Sequence, residues 1–131
     1  ERNHDPGVPA YLKTIFPTQE LMKQEMEVWE HAMQGMAPSF YAGMAELLAE
    51  FRARGGLVAV ISHSPADVIW RHYSTHPSAE SIRPDMVLGW DNDPKLRKPS
   101  AWPAQEALRR LGATPQEALV LDDLSPGVKM A

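Results

Sequence analysis

The stretch GMAELLAEFRARGGLVAVISHS, Gly43 to Ser64, decides the fold. Its first half spaces Met44, Leu47, Leu48 and Phe51 as a helix does, which predicts a helix from about Tyr41 to Arg54 that the Gly55-Gly56 pair ends. Leu57 to Ile61, LVAVI, is then an unbroken apolar run. Placed directly after a helix stop, it reads as a strand buried on both faces, the kind found in parallel sheets. The strand runs into Ser62, His63 and Ser64, and Ser64-Pro65 starts another helix that reaches about Tyr73.

Downstream, the same alternation continues. Ser74 to Pro84 reads as a loop, MVLG (Met86 to Gly89) as a short second strand, and WDNDPKLRKP as a polar loop. Ser100 to Leu111 is a predicted helix that turns Ala104, Ala107, Leu108 and Leu111 inward and stops at Gly112. Thr114-Pro115 restarts a single turn. ALVLDD (Ala118 to Asp123) is the third expected buried strand, ending in carboxylates, and the closing VKMA reads as the first turn of a helix. This order predicts an α/β protein: a parallel sheet flanked by helices, with right-handed crossovers.

Upstream, Pro6, Gly7, Pro9 and Pro17 break any long element. Thr18 fits a helix N-cap, with Leu21 where a full capping box needs Glu or Gln. From Gln19 to about Met33, one helical stripe collects Met22, Met26, Trp29 and Met33. Packing on a neighbouring helix accounts for it better than an adaptable ligand surface. Gly35 to Ser39 is a break.

Composition narrows the function classes. The 131 residues are 44% hydrophobic and 23% charged, with a formal charge of −4 and no Lys/Arg cluster, so nothing points to a nucleic-acid partner. With no cysteine, disulfides, thiolate metal sites and cysteine nucleophiles are excluded, which suits a cytoplasmic protein. No apolar run approaches the roughly 18–20 residues of a membrane span, and the start ERNHDPG lacks signal-peptide character. Gly-x-x-x-x-Gly-Lys, Gly-x-Gly-x-x-Gly and Gly-x-Ser-x-Gly motifs are all missing from the sequence.

In open α/β sheets, ligands bind beyond the carboxyl ends of the strands. The first expected strand delivers Ser62 there and the third delivers Asp122 and Asp123, while Lys98 sits in the loop between the second strand and its helix. A hydroxyl, an ammonium and paired carboxylates form a sensible kit for a phosphate ester. Carboxylates hold Mg²⁺, and the Lys and hydroxyl neutralise phosphoryl oxygens.

These three segments in this order resemble the haloacid dehalogenase-like (HAD-like) hydrolases, in particular the branch similar to phosphoglycolate phosphatase. GMAELLAEFRARGGLVAVISHS looks like the approach to the family's second motif, RKPS like its third-motif Lys-Pro, and EALVLDDLSPGVKMA like its fourth, acidic motif. The likeness runs from about Ala37 to Ala131. It implies a Rossmannoid core at 40–131, with residues 1–39 as the later part of an inserted helical cap. It also implies Mg²⁺-dependent hydrolysis of a small phosphorylated metabolite through a phospho-aspartyl intermediate. Ser62 would bind the transferring group, His63 would face the substrate or water, and Lys98 would steady nucleophile and phosphoryl oxygens. Asp122 and Asp123 would be the carboxylates toward Mg²⁺. A 2-haloacid dehalogenase is the subtype alternative, and a non-catalytic binding or interaction protein is the alternative of another class.

The departure from the family pattern is at its first motif, a strand ending in Asp-x-Asp whose first Asp attacks phosphorus. Asp5 is the sole aspartate before Ser62, and no apolar strand leads into it. Asp91-Asn92-Asp93 follows a strand but falls between the second and third motifs, which fits a solvated loop better than a nucleophile. The expectation is therefore a chain truncated at both ends, inactive as it stands, with an unpaired sheet edge open to homodimerisation. Plain structural readings stand beside the chemical ones. Ser62 or Asp122-Asp123 can simply cap a helix, Lys98 can be a surface lysine, and His72 with His76 fits surface histidines better than a zinc pair.

Overall fold

The computed structural model describes residues 13–16, 18–34 and 38–131. The turn-rich opening with Pro6, Gly7, Pro9 and Pro17, Asp5 within it, the start of the Gly35–Ser39 break and the side chain of Met33 lie outside the described residues.

Helix α1, Gln19–Gln34, begins as its sequence requires: the Thr18 hydroxyl accepts from Leu21 N at 3.3 Å. Met22, Met26 and Trp29 are half-buried on one stripe, whereas Val28, off the stripe, is 63% exposed. Helix α2, Met44–Ala53, leads into strand β1, Ala59–Ile61. Helix α3, Ala66–Ser74, follows, then the short helix α4, Ala79–Ile82, and strand β2, Met86–Leu88. A 3₁₀ turn at Pro94–Leu96 precedes helix α5, Trp102–Leu111. A second 3₁₀ turn at Pro115–Glu117 and helix α6, Ser125–Met130, complete the described chain.

β1 and β2 pair in parallel with Ala59 opposite Met86 and Ile61 opposite Leu88. The pairing continues past the strands on both sides. Asp85 N donates to Val58 O at 2.8 Å before them, and Ser62 N donates to Leu88 O at 2.9 Å after them. At the entry end, Asp85 Oδ2 accepts from Val58 N at 2.8 Å and from the Arg52 guanidinium at 2.5 Å, joining the end of α2 to the starts of both strands. Burial raises the Asp85 carboxyl, but Arg52 and the Val58 amide outweigh it and hold the group below its ordinary value. Helices α3 and α5 pack on β2 and β1 respectively, α4 packs against both α2 and α3, and α6 packs on α5. Ile69, Ile82, Met86, Ala107 and Met130 form the buried core. The fold is α/β, a parallel sheet flanked by helices.

Two expectations are corrected. Ser74 to Pro84 is not merely a loop: Ile82 on α4 is fully buried, packed where α2, α3 and α4 meet. Alternation in this segment was too short to register as a helix. Ala118 to Asp123 is not a buried strand either. Ala118 has extended backbone, yet the described sheet has two strands, and Leu119, Val120 and Leu121 are 83%, 40% and 72% exposed. An extended segment becomes a strand only when a neighbour supplies its ladder, and among the described residues none does. Among those residues no helix is long and apolar enough to cross a membrane.

Candidate functional site

The carboxyl ends of β1 and β2 are drawn together by a close backbone approach at Gly89. A β-carbon there would lie 2.4 Å from Ala66 N and 2.8 Å from Ser64 O, so only glycine passes. Beyond it, Trp90 N donates to Ser64 O at 2.9 Å and opens the loop that leads to Lys98. Within this loop Asp91 Oδ1 accepts from Asp93 N at 2.8 Å, and Asp93 Oδ1 accepts from Lys95 N at 2.9 Å. Both acids and Asn92 are exposed, as a solvated loop requires. Arg97 donates to the carbonyls of Asp91 at 2.6 Å and Asn92 at 3.0 Å, and its guanidinium lies 4.0 Å from the centre of the Trp90 ring.

The loop delivers Lys98 inward, and the Lys98-Pro99 peptide is cis. Lys98 Nζ meets Asp122 Oδ2 at 2.6 Å, with the two side chains only 10% and 11% exposed. The other carboxylate oxygen of Asp122 accepts from Leu124 N at 2.9 Å, at the entry to α6. Burial pushes the Asp122 carboxyl up. The Lys98 ammonium, the Leu124 amide and the nearby His63 ring together prevail and hold it below its usual value. A charge-assisted bond between largely covered groups is the strong kind, and among the described ion pairs this one has both partners most covered.

His63 borders that pair. Its Nε2 is 3.1 Å from the Lys98 carbonyl oxygen, and its ring meets Trp90 edge-on with centroids 5.6 Å apart. Burial lowers the His63 pKa, and the Lys98 and Arg97 cations add to this. The bond to the Lys98 carbonyl and the charge of Asp122 oppose it without reversing it. Ser62, next in the chain, accepts from Ser64 N through its hydroxyl at 3.1 Å, a local turn that starts the path into α3.

The structure thus joins Lys98 to Asp122 directly and His63 to the Lys98 backbone. Ser62 stands beside His63 in the chain with its hydroxyl turned to Ser64 N, and Asp123 is exposed. Trp90 and Arg97, which brace His63, carry no motif that sequence reasoning could have used; the Trp90 position in the loop is the one available hint. His76 is engaged locally: its Nδ1 accepts from Ser78 N at 3.0 Å and its ring packs edge-on against Phe40. Two open surface clefts, of about 320 Å³ beside Phe40 and His76 and about 420 Å³ beside Trp70 and Arg83, lie away from Lys98 and Asp122. Chemistry, not concavity, marks the candidate site.

Magnesium is the cation that the resemblance implies. Among the described residues no group of three or more His, Asp or Glu side chains could hold a metal ion. Asp122 is also already engaged on both oxygens by Lys98 and Leu124 N. The arrangement as described does not fit a complete magnesium site.

Neither curated proteins nor solved structures gave a match to this chain. The family model described as haloacid dehalogenase-like hydrolase matches residues 6–131, which include Ser62, Lys98 and Asp122 together with the elements that carry them. The chain belongs to the haloacid dehalogenase-like hydrolase family.

Proposed function

We propose that residues 40–131 carry one half of a phosphomonoester site, in which Lys98 and Ser62 receive the phosphoryl group of a small phosphorylated metabolite. In this reading residues 1–39, with α1, belong to a cap over that site. The observation that carries the proposal is the covered Lys98–Asp122 pair at 2.6 Å, fastened beside the end of β1 by His63. An ammonium held this way is poised to exchange part of its contact with a carboxylate for contact with a phosphoryl oxygen. The Ser62 hydroxyl, a donor as well as an acceptor, adds a hydrogen bond to a second oxygen. Asp122 holds the lysine tip in place.

The attacking carboxylate is the part that this sequence does not supply. Asp5 alone precedes Ser62, and no apolar strand leads into it. The proposal is therefore binding without turnover by residues 1–131, with phosphatase chemistry belonging to the site when an aspartate faces Ser62 and Lys98. The same observation favours a second reading, a non-catalytic relative that binds a phosphorylated ligand.

The test is titration of inorganic phosphate followed by NMR, beside an aryl phosphate assay with added magnesium. Phosphate should shift the resonances of Ser62 and Lys98, Lys98→Met should remove the effect, and the assay should give no turnover. Turnover that survives Lys98→Met would sink the proposal, as would phosphate that binds the Lys98→Met variant equally well. Turnover lost in Asp91→Asn would move the nucleophile to the exposed loop.

A further inference from the structure

We infer that His63 is a positioning residue for Lys98, fastening the loop that carries the ammonium instead of contacting the phosphoryl group itself. The inference deepens the reading of Lys98 as a phosphate-site lysine and rests on it.

The loop from Trp90 to Lys98 is closed at both ends by two adjacent residues. Ser64 O accepts from Trp90 N at 2.9 Å, and His63 Nε2 bonds the Lys98 carbonyl at 3.1 Å. A carbonyl oxygen only accepts, so Nε2 must carry the proton, which leaves the lone pair of the neutral ring on Nδ1. The ring cannot swing freely, because its neighbour Trp90 meets it edge-on at 79° and 5.6 Å. Trp90 is itself held under the Arg97 guanidinium, and Arg97 is bonded to the carbonyls of Asp91 and Asn92. The loop is thus braced internally and pinned to the turn after β1 at residues 63 and 64.

Lys98 has a long, flexible side chain, and its usefulness to a phosphoryl group depends on placement to within about half an ångström. A bond to its own backbone carbonyl sets the origin of that side chain, and Asp122 sets its tip at 2.6 Å. The lowered His63 pKa agrees with a ring kept neutral in this tautomer by burial.

The test reads Lys98 directly, without substrate. Intact chains are treated with acetic anhydride, and acetylation of Lys98 is followed by peptide mass spectrometry against the exposed Lys95. In the native chain Lys98 should label slowly. His63→Ala should speed it roughly fivefold to tenfold relative to Lys95, the factor one hydrogen bond is worth. His63→Gln, whose amide nitrogen can reach the same carbonyl, should restore slow labelling. Protection in His63→Ala equal to native, or no rescue by Gln, overturns the inference. Should circular dichroism show His63→Ala unfolded, His63→Asn replaces it, since its shorter amide cannot reach: slow labelling confined to Gln supports positioning, and equal labelling of Asn and Gln overturns it. These outcomes are independent of whether inorganic phosphate binds, so a failed phosphate titration sinks the functional reading and leaves the positioning result standing.

Discussion

The carboxylate of Asp122 lies over the α-carbon of Gly127: a β-carbon at Gly127 would sit 1.9 Å from Asp122 Cγ and 2.0 Å from Oδ2. Gly127 is buried on α6, so the bare backbone there leaves the space in which the acid meets Lys98. Gly127→Ala should therefore displace the carboxylate and cost about 1–3 kcal/mol, as overpacking does. Val128→Ala on the same helix, at a residue 66% exposed, should stay within about 0.5 kcal/mol. Urea unfolding of the two variants checks this, and equal midpoints would refute it.

The Lys98–Asp122 pair should show the asymmetry of covered ion pairs. Lys98→Met or Asp122→Leu alone leaves one group unpaired in a largely closed site and should destabilise by about 3 kcal/mol. The combination Lys98→Met with Asp122→Leu should recover most of that loss. A double-mutant cycle by chemical denaturation measures the coupling. Additive single effects would mean that the contact contributes nothing of its own.

His63 should make stability depend on pH near neutrality. Its ring is protonated less readily in the folded chain than at the ordinary value of 6.5, because burial and the Lys98 and Arg97 cations disfavour the charge. Unfolding therefore takes up a proton below 6.5, so this contribution is full above 6.5 and is lost as the pH falls toward the lower folded-state value. His63→Gln should remove that component. The measurement is the difference in urea midpoint between native and His63→Gln chains from about pH 7.5 to about pH 5.5. A difference independent of pH would contradict the assignment.

Ile82 and Leu121 should exchange the importance that their sequence context suggests. Ile82 lies in a stretch that reads as loop but is fully buried, and Ile82→Ala should cost about 2–5 kcal/mol. Leu121 lies in an apolar run yet is 72% exposed, and Leu121→Ala should change stability by no more than about 0.5 kcal/mol. Thermal melts of both variants at low chain concentration, where copies are apart, decide the matter; a loss for Leu121 as large as that for Ile82 would contradict the order.

We propose that the exposed Leu119 to Leu121 run promotes association between copies, since a run of exposed apolar residues outside any sheet invites burial against another surface. Sedimentation should be concentration-dependent, and Leu121→Lys should shift it toward monomer. A native chain that stays monomeric at every concentration removes the idea.

Local chemistry made much of this legible in the sequence. The LVAVI run after Gly55-Gly56 located a strand, though only Ala59–Ile61 forms it, half-buried, with Leu57 51% exposed, so the burial on both faces expected for Leu57–Ile61 is not met. Thr18 and the Met22–Met26–Trp29 spacing located α1. Motif order singled out Ser62, Lys98 and Asp122 as candidates, although only Ser62 follows a strand directly in the described structure. What only the tertiary structure decided depends on neighbours. Whether ALVLD becomes a strand is set by a partner ladder, which no residue in that run encodes. Whether Ile82 is buried is set by α2 and α3 closing around it. That His63 reaches the carbonyl of Lys98 across 35 positions, braced by Trp90 and Arg97, follows from two loops meeting at one sheet end, because such contacts are fixed by chain packing in space and leave no periodicity along the sequence.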